Sequence, residues 1–239
     1  PASYGSKGKY RYSRKTVGRV KMYVPEGLPS GCKVPVLHFS NGTGASCGFY
    51  ASTLQHWASH GFIATCYETT QSGSGSACMN AMKAAVDTYP ELADATKFGS
   101  SGHSQGGGAS ITCTYLLEQK HGDSVTIAGH AVQPAHGMSR SGYKREYPTI
   151  KSPIFMFNGS RDTVVPKSWV SDGYNVLNTE TYWYQGQGIS HMNPQNHASQ
   201  SGVAWFRWKL LGDERAKEYF MNLPDTSRWS LVKEKNSQR

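Results

Sequence analysis

Four of the seven residues from 102 to 108 are glycine, in the run Gly102-His103-Ser104-Gln105-Gly106-Gly107-Gly108. So few side chains neither fill a helix interior nor pack a strand, so the run makes sense where the chain turns sharply and needs the room. Its flanks agree. Residues 97–102 read as a short strand and 105–119 as a helix, which makes this a tight strand-to-helix turn. Such a turn lifts Ser104 above the sheet and sets it at a helix N-terminus, where backbone N–H groups face outward.

The same alternation of short apolar runs and amphipathic stretches extends along the chain. Residues 17–24, 34–39, 62–67, 125–132, 153–158 and 179–184 read as further strands, and 49–59, 76–89, 166–177 and 198–211 as further helices. Pro25 and Gly27 end the first strand, Gly61 the first helix and Pro90 the second. Strands separated by helices imply a doubly wound α/β architecture, a mostly parallel sheet flanked by helices. The segment between 132 and 153, about 20 residues, is longer than a connection needs. With no repeat, low-complexity block or linker, one domain over 1–239 is expected. A basic segment of about 1–16 precedes its body, and a tail of about 212–239 follows.

Composition removes several function classes. Six Trp, 14 Tyr and 8 Phe supply more apolar surface than a disordered chain carries. The longest apolar runs, such as 153–157, fall far short of the roughly 20 residues that cross a bilayer. The net charge of +9 comes largely from Lys7, Lys9, Arg11, Arg14, Lys15, Arg19 and Lys21, all ahead of the first acidic residue, Glu26. No zinc-finger spacing, RNP motif or helix-turn-helix accompanies them, so nucleic acid is not an expected partner and a solvated basic surface is. The chain begins at Pro1 and looks like a mature or trimmed one. A monomer is expected.

A serine hydroxyl becomes nucleophilic only when a base takes its proton, so a histidine and an orienting carboxylate should lie elsewhere, in the order Ser, acid, His. Asp162, in Asn158-Gly159-Ser160-Arg161-Asp162, falls just past the carboxyl end of a strand, where α/β sheets place ligands. Asp172 and Glu180 lie within or after the next helix and are weaker candidates. Of the two histidines that follow, His191 sits in a glycine-containing loop and is the expected base; His197 starts a helix. The backbone N–H of Gln105 and one from the loop 40–46 would hold a developing oxyanion, with Thr43 first choice and Gly44 next. The same loop suggests a dinucleotide fingerprint through Gly42, Gly44 and Glu68, but its third glycine position is Cys47. His56 and His60 have the i, i+4 spacing of zinc ligands without the glutamate of HExxH, so no metal is expected, and no cofactor.

The GHSQGGG run, the Asn41-Gly42-Thr43-Gly44 loop, the segment 57–62, the Asp162 turn and Ser190-His191 together resemble the α/β-hydrolase polyester hydrolases. These are the bacterial cutinases and poly(ethylene terephthalate) hydrolases, with dienelactone hydrolases more distant. The likeness runs from about Val17 to Leu211. It implies an α/β-hydrolase fold without a large lid, a Ser104–His191–Asp162 triad, and an oxyanion hole from the N–H groups of Thr43 and Gln105. It also implies a secreted or periplasmic esterase of polyesters or short acyl esters. A serine peptidase, another acyl transferase or a non-catalytic binding module would use the same frame. Where the family carries a ring-stacking Trp, this chain places His136, which with Gly44 is the expected substrate contact; the other reading of His136 is a plain loop histidine. The family's C-terminal disulfide has no counterpart after Cys113. Cys47 and Cys78, placed in two loops at the active end, are the pair expected to bridge, with Cys32, Cys66 and Cys113 unassigned.

Overall fold

A computed structural model describes residues 4–139, 141–192, 194–223 and 229–236. The apolar runs form the body of a nine-stranded sheet: β2 (Val20–Glu26), β3 (Val34–Ser40), β4 (Ile63–Tyr67), β5 (Ala93–His103), β6 (Thr126–Val132), β7 (Ile154–Gly159) and β8 (Thr181–Gly186). Two strands flank them, β1 (Arg11–Val17) and β9 (Trp229–Lys235). The order is β1-β2-β4-β3-β5-β6-β7-β8-β9. From β4 to β8 all pairings are parallel, while β1–β2, β2–β4 and β8–β9 are antiparallel.

Side chains along each strand alternate between two cores, as the pleat requires. Phe155 and Phe157 face an aromatic layer under α1 (Ala51–Ser59), α7 (Pro194–Leu211) and α8 (Glu214–Asn222). Ile154 and Met156 face the opposite side, under α3 (Gln105–His121) and α6 (Lys167–Val176). The latter side continues beneath α2 (Ser76–Thr88), where Ala81, Met82 and Ala85 pack on Val36, Ile63 and Ile127. The sheet is therefore covered on both faces.

The two chain ends differ from the sequence reading. The basic segment contains β1, paired with β2 across a turn in which Gly18 has φ +56°. It escapes pattern reading because an edge strand exposed on both sides has no apolar alternation, and its Arg and Lys residues guard an open edge against further pairing. The tail contains α8 and β9. Asp213 caps α8, its carboxylate accepting from the N–H groups of Arg215 and Ala216 at 3.1 Å each. The long 133–152 segment folds down as α4 (His136–Ser139), α5 (Tyr143–Glu146) and a 3-10 turn, with Tyr147 fully buried.

The expected Cys47–Cys78 bridge does not form. Cys47 pairs with Cys66 of β4, and Cys78 with Cys113, while Cys32 is free and exposed. The reason is direction: Cys78 lies on the buried face of α2, turned toward α3, not in a loop at the active end. Among the described residues no helix is long and apolar enough to cross a membrane.

Candidate active site

Ser104 occupies the joint between β5 and α3 with φ +59° and ψ −121°, a conformation that L residues rarely hold. The flanking glycines make it attainable. A methyl at Gly102 would overlap the Gly106 carbonyl, and one at Gly106 would overlap the Ser40 carbonyl. The turn needs both positions bare because strand and helix backbones pass within contact there.

The loops after β7 and β8 bring two remote residues to this serine. His191 Nε2 lies 3.1 Å from Ser104 Oγ, across 87 residues of sequence. His191 Nδ1 lies 2.9 Å from Asp162 Oδ2. A carboxylate only accepts, so Nδ1 carries the proton and Nε2 is left bare to receive the serine proton. The other carboxylate oxygen of Asp162 accepts from the N–H groups of Val164 and Val165, both at 2.9 Å. The Asp162 side chain is thus held on both oxygens and is 1% exposed, against 13% for His191. Asp172 and Glu180 stand elsewhere; Glu180 is ion-paired with Lys209. His197 falls in α7, and its side chain lies outside the described residues.

The expected oxyanion donors sit on two facing loops. The N–H of Gln105 opens α3, where no earlier helical carbonyl receives it. In the other loop, Gly42 N–H donates to Tyr50 Oη at 3.0 Å and Gly44 N–H to the Thr70 carbonyl at 3.2 Å. Both neighbours are committed, and among the described residues the Thr43 N–H has no protein acceptor. The segment after β4 clamps the two loops together. Ser72 N–H donates to Gln105 Oε1 at 3.1 Å, and Ser72 Oγ donates to the Asn41 carbonyl at 2.6 Å. The Cys47–Cys66 disulfide and the Cys47 N–H to Glu68 Oε1 bond, 3.1 Å, hold the far side of the same loop. Burial works against charge on Glu68, but Lys21 at 2.7 Å and the Cys47 N–H keep its carboxyl below the ordinary range. Glu68 is therefore tied to the loop, not free for a ribose.

His136 departs from expectation. It is 1% exposed, stacks on Tyr143 with centroids 5.5 Å apart, and meets the edge of Tyr147. A side chain at Gly173 of α6 would run into it. Burial pushes its pKa down to about 3. The imidazole is a core piece that ties α4 to α6, so it offers no face to a substrate. His56 and His60 donate to the carbonyls of Tyr4 and Ser6, at 2.7 and 3.0 Å. Among the described residues no three His, Cys, Asp or Glu side chains gather to hold a metal.

Exposed apolar side chains lie near the site, which the sequence reading missed. Val164 is two residues past Asp162 and 57% exposed; Met192 follows His191 and is 62% exposed. Phe49 and Met138 are also open, the first packed edge-on against Tyr50 and the second beside Gln105, whose amide approaches the Met138 carbonyl at 3.5 Å. Val164 and Met192 lie beside Asp162 and His191 in the chain, and that adjacency was the available signal. A scan of the chain against protein-family models and a search among curated proteins each return no match.

Proposed function

We propose that this protein is a serine carboxylic ester hydrolase of the α/β-hydrolase fold that works by acyl transfer. The observation that carries the reading is the continuous Ser104–His191–Asp162 chain, with contacts of 3.1 and 2.9 Å, built on a strained strand-to-helix turn. His191 Nε2 takes the Ser104 proton as Oγ attacks the ester carbonyl. The N–H groups of Gln105 and Thr43 receive the oxyanion, and Asp162 holds the imidazolium that forms. His191 then gives the proton to the leaving alcohol. Water, deprotonated by the same nitrogen, releases the acid and restores Ser104.

The exposed apolar side chains near the site support a substrate class. Val164, Met192, Phe49 and Met138 are exposed around a site whose neighbouring 133–152 segment is folded down, which suits acyl chains and extended polyesters. The aromatic shelf expected at His136 forms no part of the proposal. Two disulfides fit a secreted or periplasmic location.

The deciding experiment is fluorophosphonate labelling combined with p-nitrophenyl butyrate turnover. Wild type should be labelled once, at Ser104, and should turn over; Ser104→Ala should do neither while melting normally. Turnover retained by Ser104→Ala would sink the proposal. Faster cleavage of a matched amide than of the ester would move it to the peptidases.

A further inference from the structure

A buried chain of hydrogen bonds runs beneath the serine and connects the two loops that flank it. Gly42 N–H donates to Tyr50 Oη at 3.0 Å, and Tyr50 Oη lies 3.1 Å from His103 Nδ1. His103 Nε2 lies 3.1 Å from Gln133 Oε1, and Gln133 Nε2 donates to the Ser190 carbonyl at 3.0 Å. Tyr50, His103 and Gln133 are all buried.

Both ends of this chain are backbone groups of fixed polarity, which leaves one proton arrangement. Ser190 offers only an oxygen, so the Gln133 amide must turn its NH2 toward it and its carbonyl toward His103. His103 must then carry its proton on Nε2, which leaves Nδ1 bare for the Tyr50 hydroxyl proton. The Tyr50 oxygen in turn is free to accept from Gly42. Flipping the Gln133 amide would set two oxygens face to face at Ser190. Burial, and next the neighbouring His191, push the His103 pKa down to about 4, so the neutral ring that this arrangement needs is the stable one.

Two further observations tie the chain to the site. Gln133 holds φ +47°, a left-handed conformation for a residue with a full side chain, and its N–H donates to the Phe157 carbonyl at 2.6 Å. That strained backbone carries the side chain that makes the last two bonds of the chain, to His103 and to Ser190. The His103 ring also lies against the His191 ring, with centroids 4.7 Å apart.

Resting on the ester-hydrolase reading above, we propose that Tyr50, His103 and Gln133 are positioning residues. They form a relay of single orientation that couples the Ser190–His191 backbone to Gly42, at the root of the loop that carries Thr43. The general base and one oxyanion donor are then set by one buried structure instead of two independent loops. None of the three touches substrate.

Two substitutions open the relay at different points. Tyr50→Phe removes the hydroxyl alone, and Gln133→Met keeps side-chain length while removing both polar ends. Each should lower kcat on p-nitrophenyl butyrate about 10- to 100-fold with KM changed less than about twofold, the signature of a misplaced base with binding intact. The double variant should lose little more than the worse single one, because either change interrupts the same chain. Nitrogen NMR of the histidine rings in wild type provides a test that needs neither activity nor a folded variant. His103 should be a single neutral tautomer protonated on Nε2, and Gln133→Met, which removes the acceptor of that proton, should mix its tautomers. An Nδ1-protonated His103 in wild type, unchanged kcat in both single variants, or fully multiplicative losses in the double variant would overturn the relay. A wild type without esterase activity or Ser104 labelling but with the locked tautomer would instead remove the ester-hydrolase reading and leave the hydrogen-bond relay standing.

Discussion

At the carboxyl end of the sheet, Ser104 and Gln133 hold positive φ, the buried side chains of Tyr50, His103 and Gln133 are held by specific hydrogen bonds, and apolar side chains stand open to solvent. In the layer between the sheet and α7–α8 the materials are different. Phe220 is fully buried, with ring centroids 5.0 Å from Phe155, 5.2 Å from Trp205 and 5.5 Å from Tyr182, and Trp205 and Trp208 meet edge to face. The rings tolerate many arrangements of similar energy and supply stability in bulk. The Ser104–His191–Asp162 cluster tolerates few arrangements, because its hydrogen-bond donors and acceptors must meet in order.

Substitutions should separate the two regions. Asp162→Asn keeps the size of the carboxylate and its acceptor for Val164 and Val165, but loses the charge that fixes the His191 tautomer. A fall in kcat of roughly 10⁴-fold is expected, with a melting temperature close to wild type. A large loss of stability there would mean that the site also holds the fold together. Phe220→Ala should do the reverse. Urea unfolding should show a loss of about 3–5 kcal/mol, while kcat per folded molecule stays as in wild type.

The disulfides test the boundary between the regions. Loop closure predicts that replacing Cys78 and Cys113 by Ala costs about 4 kcal/mol of stability, and replacing Cys47 and Cys66 about 3 kcal/mol. Only the second pair should also lower kcat, because Cys47 and Cys66 brace the Thr43 loop; equal kinetics in both would remove that assignment.

The smallest effect, per group and per pH unit, is expected from acid. Burial lowers His38, His130 and His136 to about 3, and burial with His191 lowers His103 to about 4. Each folded value lies below the unfolded one near 6.5, so below about pH 6.5 the unfolded chain binds more protons. Stability is then fully present above about pH 6.5 and falls on acidification toward the folded values, by up to about 1.4 kcal/mol per pH unit for each histidine. Chemical denaturation between about pH 7 and pH 4.5 would check the sign; stability that rises on acidification would show these rings to be charged in the fold. His130, stacked on Phe155 at 4.6 Å, belongs to the aromatic layer, whereas His103 belongs to the site. Replacing each by Gln in turn would apportion the slope between the two regions.

The central strands and their helices were legible because their cores impose period two and period 3.6 on local sequence. The serine turn was legible because a close backbone crossing demands glycine. Asp162 and His191 were legible by position, since ligands gather where parallel strands end. β1 and β9 were not, because edge strands carry little apolar pattern, and α8 was not, because only Ala216 and Phe220 of its nine residues turn inward. His136 was misread because nothing local says whether a loop side chain turns inward; the bare Gly173 opposite it, 37 residues on, makes the space. Tyr50 showed only helical spacing and Gln133 only loop composition.

What this chain's sequence determined by itself is a covered parallel sheet with a serine on a tight turn, because propensity, periodicity and steric room are properties of neighbouring residues. Only the tertiary structure decided which cysteines pair, which histidine is core and which stands against Ser104, and how Gly42 comes to be wired to Ser190. Those outcomes depend on segments far apart in sequence meeting at hydrogen-bond distance, and direction of approach in three dimensions leaves no trace in local pattern.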